Sequence, residues 1–209
     1  MKYYHLVFII FLIFSCKKES VLINENEAWT VNKDGEIDVF LDEPGFSSIK
    51  AKTLNFTGIE FLQKEDFNNA EANFLKALTV EPGNPTVLNN LGNMEKRKKN
   101  YDKSKIYYEK SLIASDSLYY SPALNLAVID HMNENYPHAR KLLEFVISNS
   151  SNASHNAIAY LLLCDNYLSL GECEKAKTVL KKSENLFKTN EILIEKFKYL
   201  EAKILRCFR

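Results

Sequence analysis

Apolar positions divide the chain into segments of different character. Leu6 to Phe14 form an unbroken apolar run behind Lys2, whereas residues 17 to about 47 have no helical periodicity. From about 51 to 188, apolar residues recur at helical spacing in short blocks broken by Asn, Gly, Pro and Ser. Residues 190 to 208 carry one more such stripe: Ile192, Ile194, Phe197, Leu200, Ile204 and Leu205. Steps of three, four and seven place side chains on one buried helical face. The pattern predicts an all-α body that follows a non-helical stretch and ends in a capping helix.

The blocks repeat. Leu54 recurs as Leu88, Gly58 as Gly92, Phe67 as Tyr101 and Phe74 as Tyr108, each 34 residues on. A third unit follows 35 residues later, with Leu126, Ala127, Tyr136, Ala139 and Leu143. A fourth follows after 37, with Tyr160, Leu163, Cys164, Tyr167, Ala176 and Leu180, and Gly171 in its inter-helix turn. Such a period marks stacked helix-turn-helix units that bury their apolar faces only against neighbours. Each first helix carries a small residue (Gly58, Gly92, Ala127, Cys164) where the second helix is expected to cross at Ala70, Ser104, Ala139 or Ala176, because backbones approach closely only past small side chains. Asp66, Asn100 and Asn135 precede second helices as N-caps, worth about 1 kcal/mol each. Asn84-Pro85 and Ser121-Pro122 are expected to start first helices in the same way.

Leu54, Gly58, Phe61, Phe67, Ala70, Phe74, Ala77 and Pro82 together resemble the tetratricopeptide repeat (TPR), with Thr57 where leucine is usual. In the second unit Leu88, Leu91, Gly92, Tyr101 and Tyr108 hold, Ser104 and Ser111 replace alanines, and Glu95 replaces an aromatic. The resemblance implies a solenoid of about four repeats (51–84, 85–118, 120–153 and 157–188) with a capping helix at 189–209. It also implies a scaffold that binds a protein or peptide on its concave face rather than an enzyme. First helices line that face in the family, which brings Asn89, Asn90, Asn93, Leu124, Asn125, Val128, Met132 and Leu161 there as candidate peptide-binding residues. Asparagine amides can pair with both the donor and the acceptor of an extended backbone, and the apolar members can take a helix or apolar peptide. A clamp for a C-terminal carboxylate is not expected, since Asn55, Ile59 and Ser121 stand where the family places basic groups. The acidic stretch before the repeats, or the capping helix, is an alternative occupant of the same groove.

The apolar run at the amino terminus is too short to span a bilayer, which takes roughly 20 residues, and reads as a signal peptide over 1–15. Ile13-Phe14-Ser15-Cys16 resembles a bacterial lipobox, which implies lipidation of Cys16 and attachment to a membrane by acyl chains contributing about 0.8 kcal/mol per buried methylene. By resemblance to enterobacterial sorting, where aspartate after the cysteine favours the inner membrane, Lys17 at that place implies the outer membrane, facing the periplasm. Residues 16–50 then form an acidic tether, in which Val39-Phe40-Leu41 is apolar enough to pack on the solenoid or form a short strand.

Composition narrows the function classes. Lys and Arg balance Asp and Glu at 27 each, so no net field favours nucleic acid. The run Lys96-Arg97-Lys98-Lys99, with Lys103 and Lys105, is diluted by Glu95, Asp102 and Glu109 and reads as a solvated face or a dock for an acidic segment. Cys164, Cys173 and Cys207 match no metal spacing; they sit on apolar helical positions as small core residues, with a Cys173–Cys207 bridge as the alternative. His131, His138 and His155 form no HExxH pair, and neither a GxSxG elbow nor a phosphate loop occurs. No catalytic group, metal or cofactor is expected. Asp116-Ser117-Leu118 resembles the O-glycosylation signal of exported Bacteroidetes proteins. The expected function is a membrane-anchored adaptor for an unknown protein of the cell envelope; the alternative is an accessory lipoprotein that captures a small ligand or glycan.

Overall fold

The computed structural model describes residues 29–31, 37–39, 44–186 and 191–209. The signal segment 1–15, Cys16 with its lipobox, and Phe40-Leu41 lie outside them. A short antiparallel hairpin, β1 (Trp29–Val31) with β2 (Ile37–Val39), pairs Trp29 with Val39, Thr30 with Asp38 and Val31 with Ile37. Four helix pairs follow: α1 (Ile49–Gln63) with α2 (Phe67–Val80), α3 (Pro85–Arg97) with α4 (Tyr101–Ala114), α5 (Ser121–Met132) with α6 (Tyr136–Asn149), and α7 (Ala153–Ser169) with α8 (Cys173–Ser183). A ninth helix, α9 (Glu191–Cys207), packs on α7 and α8. The all-α solenoid with a terminal cap is thus the observed architecture among the described residues.

The turns inside the pairs share one backbone device. Glu65, Lys99, Glu134 and Gly171 all have φ between 58° and 70°, and they are separated by the same steps of 34, 35 and 37 as the repeats. Asp66 accepts from the Asn69 amide and Asn84 from the Val87 amide, as caps should. Asn100 and Asn135 stand at cap positions but make no side-chain cap bond. Ser121 lies inside α5, with Tyr120 at its cap.

The crossings are closer than small-on-small packing requires. A Cβ on Gly58 would lie 2.6 Å from the Phe74 ring, and one on Gly92 would overlap the Tyr108 ring in the same way. The glycines make room for aromatics one turn beyond Ala70 and Ser104. Ser104 and Ser111, in place of alanines, donate to the carbonyls of Gly92 (2.8 Å) and Pro85 (2.7 Å), so each buried hydroxyl meets an acceptor on α3.

The cap is fixed by apolar, ionic and covalent contacts. Leu193, Leu200 and Ile204 are buried, whereas Leu205, expected in the stripe, is 64% exposed. Lys203 and Lys196 reach Asp165 of α7 at 2.8 and 3.4 Å. Cys173 and Cys207 form a disulfide between the start of α8 and the end of α9, which corrects the reading of both as core residues. Cys164 is the buried core thiol, and desolvation pushes its pKa up to about 12, so it is inert. Among the described residues no helix is long and apolar enough to cross a membrane.

Candidate functional site

The first helices of the pairs form the inner layer. In α3 the polar residues Thr86, Asn89, Asn93 and Lys96 recur at helical spacing, a pattern that would ordinarily meet water. Here eleven consecutive residues, Thr86 to Lys96, are all buried. Helices α1, α2, α4 and α5 pack against α3. The hairpin strand β2 runs beside α5, and Thr86 Oγ1 donates to the Pro44 carbonyl at 3.0 Å. Residues ahead of the repeats thus touch α5 at β2 and the start of α3 at Pro44.

A ladder of asparagines links the first helices. Asn90 Nδ2 donates to Asn55 Oδ1 at 2.9 Å, linking α3 to α1. Asn125 Nδ2 lies 3.1 Å from both Asn89 Oδ1 and Asn93 Oδ1, linking α5 to α3. Asn90 and Asn125 hold equivalent places in their units, and each reaches back to the preceding unit. Tyr119 and Tyr108 extend the network: Asn89 Nδ2 donates to the Tyr119 hydroxyl at 3.2 Å, and the Tyr108 hydroxyl donates to Asn93 Oδ1 at 2.7 Å. Three polar atoms of the ladder have no protein partner: the donors Asn55 Nδ2 and Asn93 Nδ2 and the acceptor Asn90 Oδ1. Leaving such a buried group unmet costs about 1–3 kcal/mol.

The other candidate residues divide by exposure. Leu124 and Leu161 are fully buried in the core of the C-terminal half. Val128 is half-buried, and Met132 at 41% exposure is the open end of the face. His131 lies edge-on to Tyr136 at 5.3 Å, and desolvation lowers its pKa.

The basic run beside this face is largely neutralised from within. Glu95, where an aromatic is usual, is buried and receives Lys98 (3.0 Å) and Lys103 (3.2 Å). The hydrogen bond and charge of Glu95 raise the pKa of Lys103. Lys105 pairs with buried Asp130 at 2.7 Å, and Asp130 also meets His138. Arg97 donates to the Leu62 carbonyl. His155 pairs with Ser150 at 2.9 Å. Among the described residues no three His, Cys, Asp or Glu side chains are grouped to hold a metal ion. Ser117 lies exposed in the turn after α4.

A family model described as the tetratricopeptide repeat matches residues 85–112, the span of α3 and most of α4. The body of the chain is a TPR solenoid. Solved structures agree with this fold. Yeast Tom70 is similar with a TM-score of 0.65 and 20% identity over 75% of this chain and 33% of its own. The pilF protein of Pseudomonas aeruginosa gives 0.64 and 17% over 76% and 73%. A TPR protein of Parabacteroides merdae gives 0.62 and 16% over 77% and 60%. The chain thus spans a third of Tom70 and three fifths of the Parabacteroides protein, and at these identities the likeness concerns the fold. No curated protein matches the sequence. A TPR solenoid is a scaffold for binding protein, because stacked repeats create an extended concave surface.

Cover of the groove was weighed in the sequence only as an alternative, and neither the complete burial of α3 from Thr86 to Lys96 nor Tyr119 was foreseen. The stripe Thr86, Asn89, Asn93 and Lys96 is polar, and polarity ordinarily signals water contact. Tyr119 sits in a turn outside any periodic block.

Proposed function

We propose that this TPR protein is a membrane-tethered adaptor of the cell envelope that holds an extended segment of a partner protein on the inner face of units one to three. The observation that carries the reading is the set of unmet polar atoms in the asparagine ladder. Two donors, on Asn55 and Asn93, and one acceptor, on Asn90, are what an extended backbone needs to pair its carbonyls and amides. Val128 and Met132 then take apolar side chains where the face opens.

The tether follows from Cys16. Its acylation, after removal of residues 1–15, would hold the solenoid at a membrane, and the outer membrane facing the periplasm is the preferred site. The Cys173–Cys207 disulfide supports export, since such bonds persist in oxidising compartments. The exposed Ser117 turn is accessible to the glycosylation its sequence suggests.

The test is crosslinking and pull-down from intact cells with wild type, Met132→Glu and Asn90→Ala. Met132 is exposed, so its variant should keep the wild-type melting curve and lose the captured envelope protein. Asn90→Ala should weaken capture by about tenfold, the loss of roughly one hydrogen bond to a peptide. Capture of the same protein by all three at equal strength would remove the inner face from the reading. In the same cells Cys16→Ala should leave the membrane fraction or remain unprocessed; an unchanged, mature lipidated protein would overturn the tether.

A further inference from the structure

We infer that α9 is more than a cap: Lys196, Tyr199 and Lys203, with Asp165 of α7 and His131 and Met132 of α5, form a docking surface for an acidic, extended segment of the partner protein. The inference rests on the reading above, that the layer of first helices holds such a segment, and it names the chemistry that layer selects. Helix α9 packs on α7 and α8, the neighbours a following first helix would have, so it adds a further member to that layer. Lys203 Nζ and Lys196 Nζ meet the two oxygens of Asp165 at 2.8 and 3.4 Å. Both ammonium groups also lie over the Tyr199 ring, 5.4 and 5.3 Å from its centroid, within the range of a cation–π contact. His131 is in electrostatic reach of Asp165 and both lysines, which gathers α5, α7 and α9 round one cluster.

Charge selects the occupant. One carboxylate stands against two lysines, and His131, whose pKa desolvation lowers, is neutral at pH 7. Glu195 and Arg206, at helical spacing from Tyr199, offset each other, so the cluster keeps an excess of one positive charge. The lysines are held in place by the carboxylate and the ring, which reduces the ordering cost of binding. They are not closed off: their side chains are 32% and 35% exposed, and Tyr199 and Met132 are exposed beside them. Each ammonium has three donors, more than Asp165 uses. An arriving carboxylate therefore meets two preplaced cations, with apolar contact at Met132 and Tyr199. The far end of the layer offers only the neutral amides of Asn55 and Asn90, so the acidic residue of the segment docks at α9.

The experiment uses the full chain with its disulfide intact and two labelled peptides blocked at both ends, one of leucine, serine and glutamate, the other with glutamine for every glutamate. Anisotropy at low salt should show the glutamate peptide binding wild type about tenfold more tightly than its counterpart, a preference that fades as salt screens the charges. Lys196→Gln/Lys203→Gln should bind both peptides alike, whereas Lys196→Arg/Lys203→Arg should keep the preference. Tyr199→Ser, at an exposed position, should melt as wild type does and weaken both peptides, which separates a lost docking surface from a cap loosened by two missing ion pairs. Carbodiimide, which joins a carboxylate to an amine in contact with it, should couple the glutamate peptide to Lys196 or Lys203. Equal affinity of the two peptides for wild type, binding of neither, or coupling confined to Lys98, Lys99 or Lys103 would overturn the surface. So would retention of phosphatidylglycerol vesicles by wild type in preference to either peptide, the mark of an anionic-lipid site. Those outcomes leave the adaptor reading standing, because loss of the captured protein in Met132→Glu is measured separately.

Discussion

Gly58 and Gly92 set the tightest distances in the first two units, and their effects compete. Replacing a helical glycine by alanine gains about 1 kcal/mol in helix propensity. A methyl group 2.6 Å from the buried Phe74 ring forces an overpacked core to shift, at about 1–3 kcal/mol. The ring is fully buried and has nowhere to go, so steric cost prevails: Gly58→Ala should lose roughly 1 kcal/mol and Gly58→Leu roughly 3. Urea melting decides it, and a stabilised Gly58→Ala would remove the close contact. These glycines were legible in the sequence because they recur at the repeat period. The asparagines were legible only as inward-facing residues. Their partners lie 35 and 36 residues away on other helices, and no local pattern encodes which amide meets which.

At the scale of elements, the cap shows what periodicity conveys and what it omits. The helical stripe identifies α9, but Leu193, outside the expected stripe, is buried and Leu205, within it, is exposed, because a stripe fixes a face only to within a residue or so. The staple to α8 is non-local, and the spacing of two cysteines does not state it. In the chain-entropy model a disulfide closing about 35 residues is worth roughly 3–4 kcal/mol, more than the ionic contact can supply. The ionic contact should therefore show only after reduction. Burial alone would raise the Asp165 pKa, but Lys196 and Lys203 outweigh it and hold the carboxyl below its ordinary value. A depressed folded-state pKa contributes stability above the unfolded pKa, near 4, and loses it as pH falls through the folded value. In reduced protein, amide exchange of α9 should accordingly speed up as pH falls below about 4, once corrected for intrinsic rates. Asp165→Asn should start with faster exchange at pH 7 and show no such acid step. An identical acid step in that variant would assign it to other carboxylates. The hairpin β1–β2 was the least legible element, since its segment has no helical period and its placement depends on α5, far along the chain.

The whole molecule has an uneven core. Units one and two share a cluster around Leu62, Phe74, Leu91 and Met94, while units three and four share a larger one with the cap. Between them lies a small cluster of Tyr108, Leu126 and Ile129, reinforced by Asn125 and by the Lys105–Asp130 pair. In a stacked array each unit is stabilised by its neighbours, and cooperativity is lost first at the weakest interface. Ile129→Ala removes buried methyl groups at that junction, at about 2–5 kcal/mol, without touching either larger cluster. The expected result is a calorimetric trace that splits in two, one component for residues 44–114 and one for the half that α9 and the disulfide hold together. Leu143→Ala, of comparable cost but inside the larger cluster, should instead lower the stability of the C-terminal half while the junction stays coupled. A single transition in Ile129→Ala, shifted as in Leu143→Ala, would mean that the polar ladder carries the coupling.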